Sequence, residues 1–172
     1  MAVTIETWDA ARAQQRAADV YAVYDAVFGD VASEDEWRAD TFDRHCARQE
    51  FRLVAAEDDG SLVGFAYGYV GERGQWWSDR VVEALAPSVA DVWVGGHFEF
   101  VELAVLPSSR RRGIGARLHD GLMSGTEHRR GLLSTDDSDT PARRLYASRG
   151  WTKLGNLSAE TAVLGRWLGS AP

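Results

Sequence analysis

Three consecutive arginines, Arg110, Arg111 and Arg112, stand directly before Gly113-Ile114-Gly115 in the segment VELAVLPSSRRRGIGARLHDGL at 101–122. The segment reads as a strand, a proline turn and a helix. The first four amides of a helix have no acceptor within it and concentrate a partial positive charge. Glycines let such a backbone approach a bulky anion, and guanidinium forks add donors that match phosphate oxygens. No acidic residue occurs between Leu103 and Arg117. The combination predicts an anion site, most naturally for phosphate or pyrophosphate. The nucleotide-hydrolysing pattern GxxxxGK[ST] is absent, and the dinucleotide pattern GxGxxG that begins at Gly113 fails at Leu118. A solvated basic turn whose glycines only start a helix is the plainer alternative.

Regular elements must hold that junction in place. VTIETW at 3–8 alternates as a strand does, and 10–28 reads as a helix with Val20, Tyr24, Val27 and Phe28 on one face and Gly29 as terminator. Ser33 and Glu36 form a capping-box pair for a second helix to about Glu50. FRLVAAED and SLVGFAYGYV flank Asp59-Gly60 as a hairpin. In 71–96 a short helix over 79–86, capped by Ser78 and interrupted by Pro87, sits within what reads as an insertion rich in tryptophan. HFEFVELAV at 97–105 is the most strand-like run. Ile114, Leu118 and Leu122 make one stripe of the next helix, and GLLST at 131–135 is a short buried strand. Thr140-Pro141 opens a helix that ends near Gly150, and WTKLGNL with ETAVLGRWL closes the chain as a hairpin. The order β-α-α-β-β-β-α-β-α-β-β predicts a mixed α/β (α+β) domain over 1–172, with a mostly antiparallel twisted sheet of about seven strands flanked by helices.

The 172 residues suffice for one domain with a sizeable core, and 45% hydrophobic with 26% charged residues is ordinary for a globular chain. A net charge of -7 disfavours nucleic acid as a partner, since duplex binding rests on neutralising phosphates. No apolar run reaches the ~20 residues that span a bilayer, and none reads as a signal peptide, so a cytoplasmic location away from membranes is expected. Cys46 is the one cysteine, which excludes an internal disulfide and sulfur-rich metal sites. His45, His119 and His128 lack metal-ligand spacing and are expected on helix surfaces, so no metal is expected. Cys46 reads as a small buried hydrophobe rather than a nucleophile.

Arg110 to Gly115 fits [Q/R]-x-x-G-x-[G/A], and with ELAVLP before it and RRLYASRGW after it the chain resembles the GNAT acetyltransferase superfamily. The resemblance covers 97–155 in motif detail and most of the chain in element order. It implies acetyl-CoA as co-substrate, its pyrophosphate held by the loop and helix start at Arg110, Arg111, Arg112, Gly113, Ile114, Gly115 and Ala116. It further implies a bulged strand at Leu103, Ala104 and Val105 whose free backbone groups pair with the pantetheine arm, with the thioester in a splay between 97–105 and 131–135. The implied activity is direct transfer of an acetyl group to a primary amine.

An alkylamine with a pKa near 10 leaves only about one molecule in a thousand unprotonated at pH 7, a penalty of roughly 4 kcal/mol, so a general base is expected. Glu99 occupies a position where the resemblance implies such a base, and Glu102 one where it implies an acidic substrate contact. A flat strand would put the two on opposite faces, and a bulge between them would turn both toward the acceptor. Tyr146 matches the tyrosine of Y-x-x-x-G-[F/W] that the resemblance places beside the cofactor sulfur, where a phenol could meet the departing thiolate. Asp139 stands where the family often has asparagine, and as an acceptor it cannot donate to the cofactor; Arg143 or Arg144 could approach the ligand's 3′-phosphate. Trp76, Trp77 and Trp93 are expected to wall an acceptor site, with Trp37 closing it from the other side. His97 could help to move a proton. The residues also allow plainer readings: exposed glutamates, a tyrosine packed by its ring, and tryptophans forming a satellite core. The expected acceptor is a small-molecule amine, with a peptide or protein amine, or a non-catalytic acyl-CoA-binding module, as alternatives. A homodimer is compatible with the sequence.

Overall fold

The computed structural model describes residues 2–169. Seven strands, β1 (Thr4–Trp8), β2 (Arg52–Asp58), β3 (Ser61–Gly71), β4 (His97–Val105), β5 (Arg130–Asp136), β6 (Thr152–Asn156) and β7 (Thr161–Trp167), are ordered β1-β2-β3-β4-β5-β7-β6. β4 and β5 run parallel, whereas β1–β2, β2–β3, β5–β7 and β6–β7 are antiparallel. The mixed, mostly antiparallel sheet of the sequence reading is therefore observed. Among the described residues no helix is long and apolar enough to cross a membrane.

The chain forms two compact units: residues up to Tyr69 with Val101–Ser124, and Val70–Phe100 with the residues from Gly125 onward. β3 and β4 each pass from one unit into the other.

In the first unit the long first helix is two, α1 (Ala10–Gln15) and α2 (Ala17–Val27), broken at Arg16. Asp9 caps α1 by accepting the Arg12 amide, and Gly29 ends the segment with a φ of 59°. Ser33 accepts the Glu36 amide at 3.2 Å, as the capping box predicts. The helix it starts is short, α3 (Glu34–Trp37), and runs through a π-helical turn over Arg38–Phe42 into α4 (Asp43–Cys46). Asp59 and Gly60 turn the β2–β3 hairpin with φ values of 51° and 76°, the left-handed pair that a two-residue primed turn requires. Trp8, Val20, Tyr24, Trp37, Phe42, Leu53, Phe65 and Tyr67 share one core. The helix after the arginines is α7 (Ile114–Met123), and its Ile114, Leu118 and Leu122 are buried as their spacing predicts.

In the second unit the region 71–96 is regular. It holds α5 (Trp76–Ala84) and α6 (Pro87–Trp93). Ser78 does not cap a helix; it lies inside α5, fully buried, and Asp79 instead accepts the Gly74 amide at 2.7 Å. Pro87 does not interrupt a helix but begins α6, where its missing N–H is harmless. Thr140 caps α8 (Pro141–Ser148) by accepting the Arg143 amide at 3.1 Å.

Candidate functional site

The junction has the local geometry of an anion cradle. β4 gives way to a 3-10 turn over Pro107–Ser109, and the chain then takes positive φ twice, at Arg111 (64°) and Gly113 (73°). A non-glycine residue at such an angle stores strain, here on a residue whose side chain is exposed. Gly113 is the N-cap of α7 and supplies no capping side chain, and the first turn holds no acid. The amides of Ile114, Gly115 and Ala116 accordingly have no protein acceptor among the described residues. The three guanidinium groups are not equivalent. Arg110 Nε donates to the Val105 carbonyl at 3.1 Å and braces the turn, and Arg112 pairs with Asp58 on β2 at 2.7 Å. Arg111 is exposed and makes no hydrogen bond or ion pair among the described residues, which leaves its charge for a ligand. The spacing of the motif gave no sign of Asp58, because that contact spans 54 residues.

Near the end of β4, Val101 and Ala104 both pack against the aromatic core of the first unit, although strict alternation would put residues three apart on opposite faces. Ala104 also presses on β3: a Cβ built on Gly64 would stand 2.9 Å from the Ala104 carbonyl oxygen and 3.2 Å from Leu118. Leu103 and Val105 are half-buried.

Glu102 stands half-buried beside Tyr24 and Tyr67. Burial, and then the negative charge of Asp30, push its carboxyl up to about 8. Tyr24 donates to Asp30 at 2.8 Å, and burial with that bond raises its phenol. His45 meets the Tyr67 hydroxyl at 3.0 Å and burial pushes its imidazole down to about 4, so it is not the surface histidine expected. His119 is likewise fully buried, bonded to Asp120 at 2.8 Å. Trp37 is a core residue, 1% exposed and stacked on Phe42 at 4.3 Å, rather than a cleft wall; its Nε1 has no hydrogen-bond partner. Cys46 is buried and its thiol is pushed up to about 12 by burial, as an inert hydrophobe should be.

The second unit holds the other candidates. Glu99 is 4% exposed and pairs in register with Leu132 of β5. Tyr146, 6% exposed, meets Phe100 and Trp151 edge-on at 5.9 and 6.2 Å. Asp139 is exposed and bound to Arg144 at 2.9 Å. Arg143 faces Asp137, 3.7 Å away, and Asp137 also takes Lys153 at 2.6 Å. These groups, with Ser138 and Trp151, line a cavity of about 370 Å³. The three tryptophans of 71–96 part company. Trp93 packs on Trp167 and over Gly165 in a core, and Trp77 donates to Ser134 at 3.1 Å. Trp76 is 74% exposed with Arg80 over its ring. For Trp93 the satellite-core alternative describes the packing.

Residues 16–151 match the profile of the Acetyltransferase (GNAT) family. Over 110 residues, 58% of the chain, the sequence is 37% identical to a GCN5-like protein acetyltransferase of Mycobacterium tuberculosis, and the match spans about half (53%) of that relative's length. The fold resembles the ribosomal-protein-S18-alanine N-acetyltransferase of Escherichia coli with a TM-score of 0.68 at 14% identity, over 99% of this chain and 97% of that one. It also resembles PaiA N-acetyltransferase of Thermoplasma acidophilum, solved in complex with coenzyme A, with a TM-score of 0.62 at 11% identity, over 97% and 99% of the two chains. With most of its length inside the matched profile, and with strand, turn and glycine-started helix formed as that motif requires, the chain belongs to the GNAT acetyltransferase family.

Proposed function

We propose that this protein transfers the acetyl group of acetyl-coenzyme A to the primary amine of a small molecule. The observation that carries the reading is the start of α7: unpaired amides at Ile114–Ala116, no acid in the first turn, and the exposed Arg111. That set fits a diphosphate, which wants several fixed N–H donors and positive charge. Acetyl-coenzyme A supplies an activated thioester.

The chain's own residues then have these roles. Backbone groups of Leu103, Ala104 and Val105 hold the pantetheine arm and polarise the thioester carbonyl. Glu99 takes the proton that the acceptor ammonium must lose before its lone pair can attack, and Glu102 holds the acceptor. The amine nitrogen bonds to the carbonyl carbon, the carbon–sulfur bond breaks, and Tyr146 gives the departing thiolate a hydrogen bond or a proton. Trp76 and Trp77 flank the acceptor.

A second reading, transfer to a protein lysine or N-terminus, is supported by the name of the 37% identical relative, a protein acetyltransferase. Thiol release from acetyl-coenzyme A across a panel of small amines and peptides separates the two by which panel turns over. The Tyr146→Phe and Glu99→Gln variants should each lose about 10²–10⁴-fold in kcat with coenzyme A binding kept. Tight binding of coenzyme A with no turnover on any amine would instead identify a non-catalytic acyl-CoA-binding module.

A further inference from the structure

His97 opens β4 and is fully buried, two residues from Glu99 and so on the same face of the strand. An imidazole that deep needs partners for both ring nitrogens. The Gly95 amide donates to Nδ1 at 3.1 Å, which leaves the ring proton on Nε2. Nε2 has no hydrogen-bond partner, and Glu99 Oε2 lies 4.0 Å from it. The ring is confined. Trp77 lies beside it at 6.3 Å between centroids, and a Cβ on Gly71 would stand 2.2 Å from Nε2. Glycine at 71 is thus what gives the imidazole its room.

We propose that His97 is a positioning residue for Glu99: its neutral Nε2–H, fixed by Gly95 and admitted by Gly71, faces the Glu99 carboxylate at 4.0 Å and closes on it as a donor when that carboxylate ionises, setting its orientation and basicity. This rests on the reading of Glu99 as the base. When Glu99 takes a proton from the acceptor the proton stays on its carboxyl, because Nδ1 of His97 is already occupied by Gly95 and cannot accept it. The charged and titratable groups around the ring agree with a neutral donor. Arg130 is the cationic neighbour, His128 a second titratable one, Glu99 is the acid, and Glu72 is engaged by the Gly96 amide at 3.1 Å. Burial, then Arg130 and His128, push the imidazole down to about 3, so it carries no charge across the working pH range. A donor to the ionised carboxylate favours ionisation and lowers the carboxyl pKa.

The test is the pH profile of kcat/KM for His97→Phe, His97→Gln and Gly71→Ala. His97→Phe fills the space without a donor, His97→Gln restores an N–H near the place of Nε2, and Gly71→Ala displaces an intact imidazole. The acid limb should move up by about one pH unit in His97→Phe and Gly71→Ala. Activity would fall about tenfold below the limb, with the loss shrinking as pH rises, and His97→Gln should return the limb close to the wild-type value. Thermal melts and coenzyme A binding identify any variant that is merely unfolded, and His97→Gln then carries the comparison alone. An unmoved limb in His97→Phe, an equal shift in His97→Gln, or a uniform loss at every pH would overturn the proposal. Glu99→Gln separates the two levels. If it keeps activity and limb, the base assignment fails; if it abolishes the limb while the His97 variants leave it in place, the positioning role alone fails.

Discussion

Glu102 is a carboxyl whose surroundings oppose its charge: it is half-buried among Tyr24 and Tyr67, with Asp30 as a negative neighbour. Its pKa, about 8, stands above the 4.5 of an unfolded chain, so between those values the folded protein keeps a proton that the unfolded chain releases. Stability from this group is complete below about pH 4.5 and is lost as pH rises through 8. Glu102→Gln should therefore melt close to wild type at pH 4.5 and above it by a margin that widens up to pH 8, as calorimetry at several pH values would show. A margin independent of pH would put this carboxyl in the ordinary range. The sequence marked Glu102 as a residue near an acceptor, but nothing in it named Asp30 or Tyr24, which lie far away along the chain. Trp37 was illegible for a related reason: an indole next to charged residues reads equally well as a wall or as core, and only the stacking on Phe42 decides.

The elements that obey local rules were legible. The Asp59-Gly60 turn, the Ser33 and Thr140 caps and the glycine-started helix α7 each follow from a few adjacent residues. Region 71–96 was not, because a proline ends one helix and begins another with the same signal, and tertiary burial of Ser78 outweighs its capping preference. Close approaches between elements escape a reading of the sequence altogether. At Gly64 the nearest neighbour is main chain. A side chain there meets the Ala104 carbonyl, the Leu118 side chain and Val105 at 2.9, 3.2 and 3.3 Å. Gly64→Ala should cost about 1–3 kcal/mol, a fall in Tm of several degrees, and should weaken coenzyme A binding by shifting the backbone of Ala104 and Val105. Lowered Tm with unaltered binding would detach that stretch of β4 from the cofactor.

Across the whole molecule the charge is -7, and against that background the arginines at 110–112 are the local exception. Two of them are spent on the fold, Arg110 on the Val105 carbonyl and Arg112 on Asp58, which leaves main-chain amides and Arg111 for an anion. An acidic protein repels a polyanion at long range, so affinity must come from this short-range set, and it should tolerate moderate salt better than a diffuse basic surface would. The direct measurement is calorimetric titration with coenzyme A beside pantetheine, which lacks the diphosphate. Coenzyme A should bind at least about a hundredfold more tightly, a difference of roughly 2.7 kcal/mol, and Arg111→Ala should narrow the gap. Equal affinity for the two compounds, or no association with coenzyme A at millimolar concentration, would contradict the assignment of the α7 start as a diphosphate cradle.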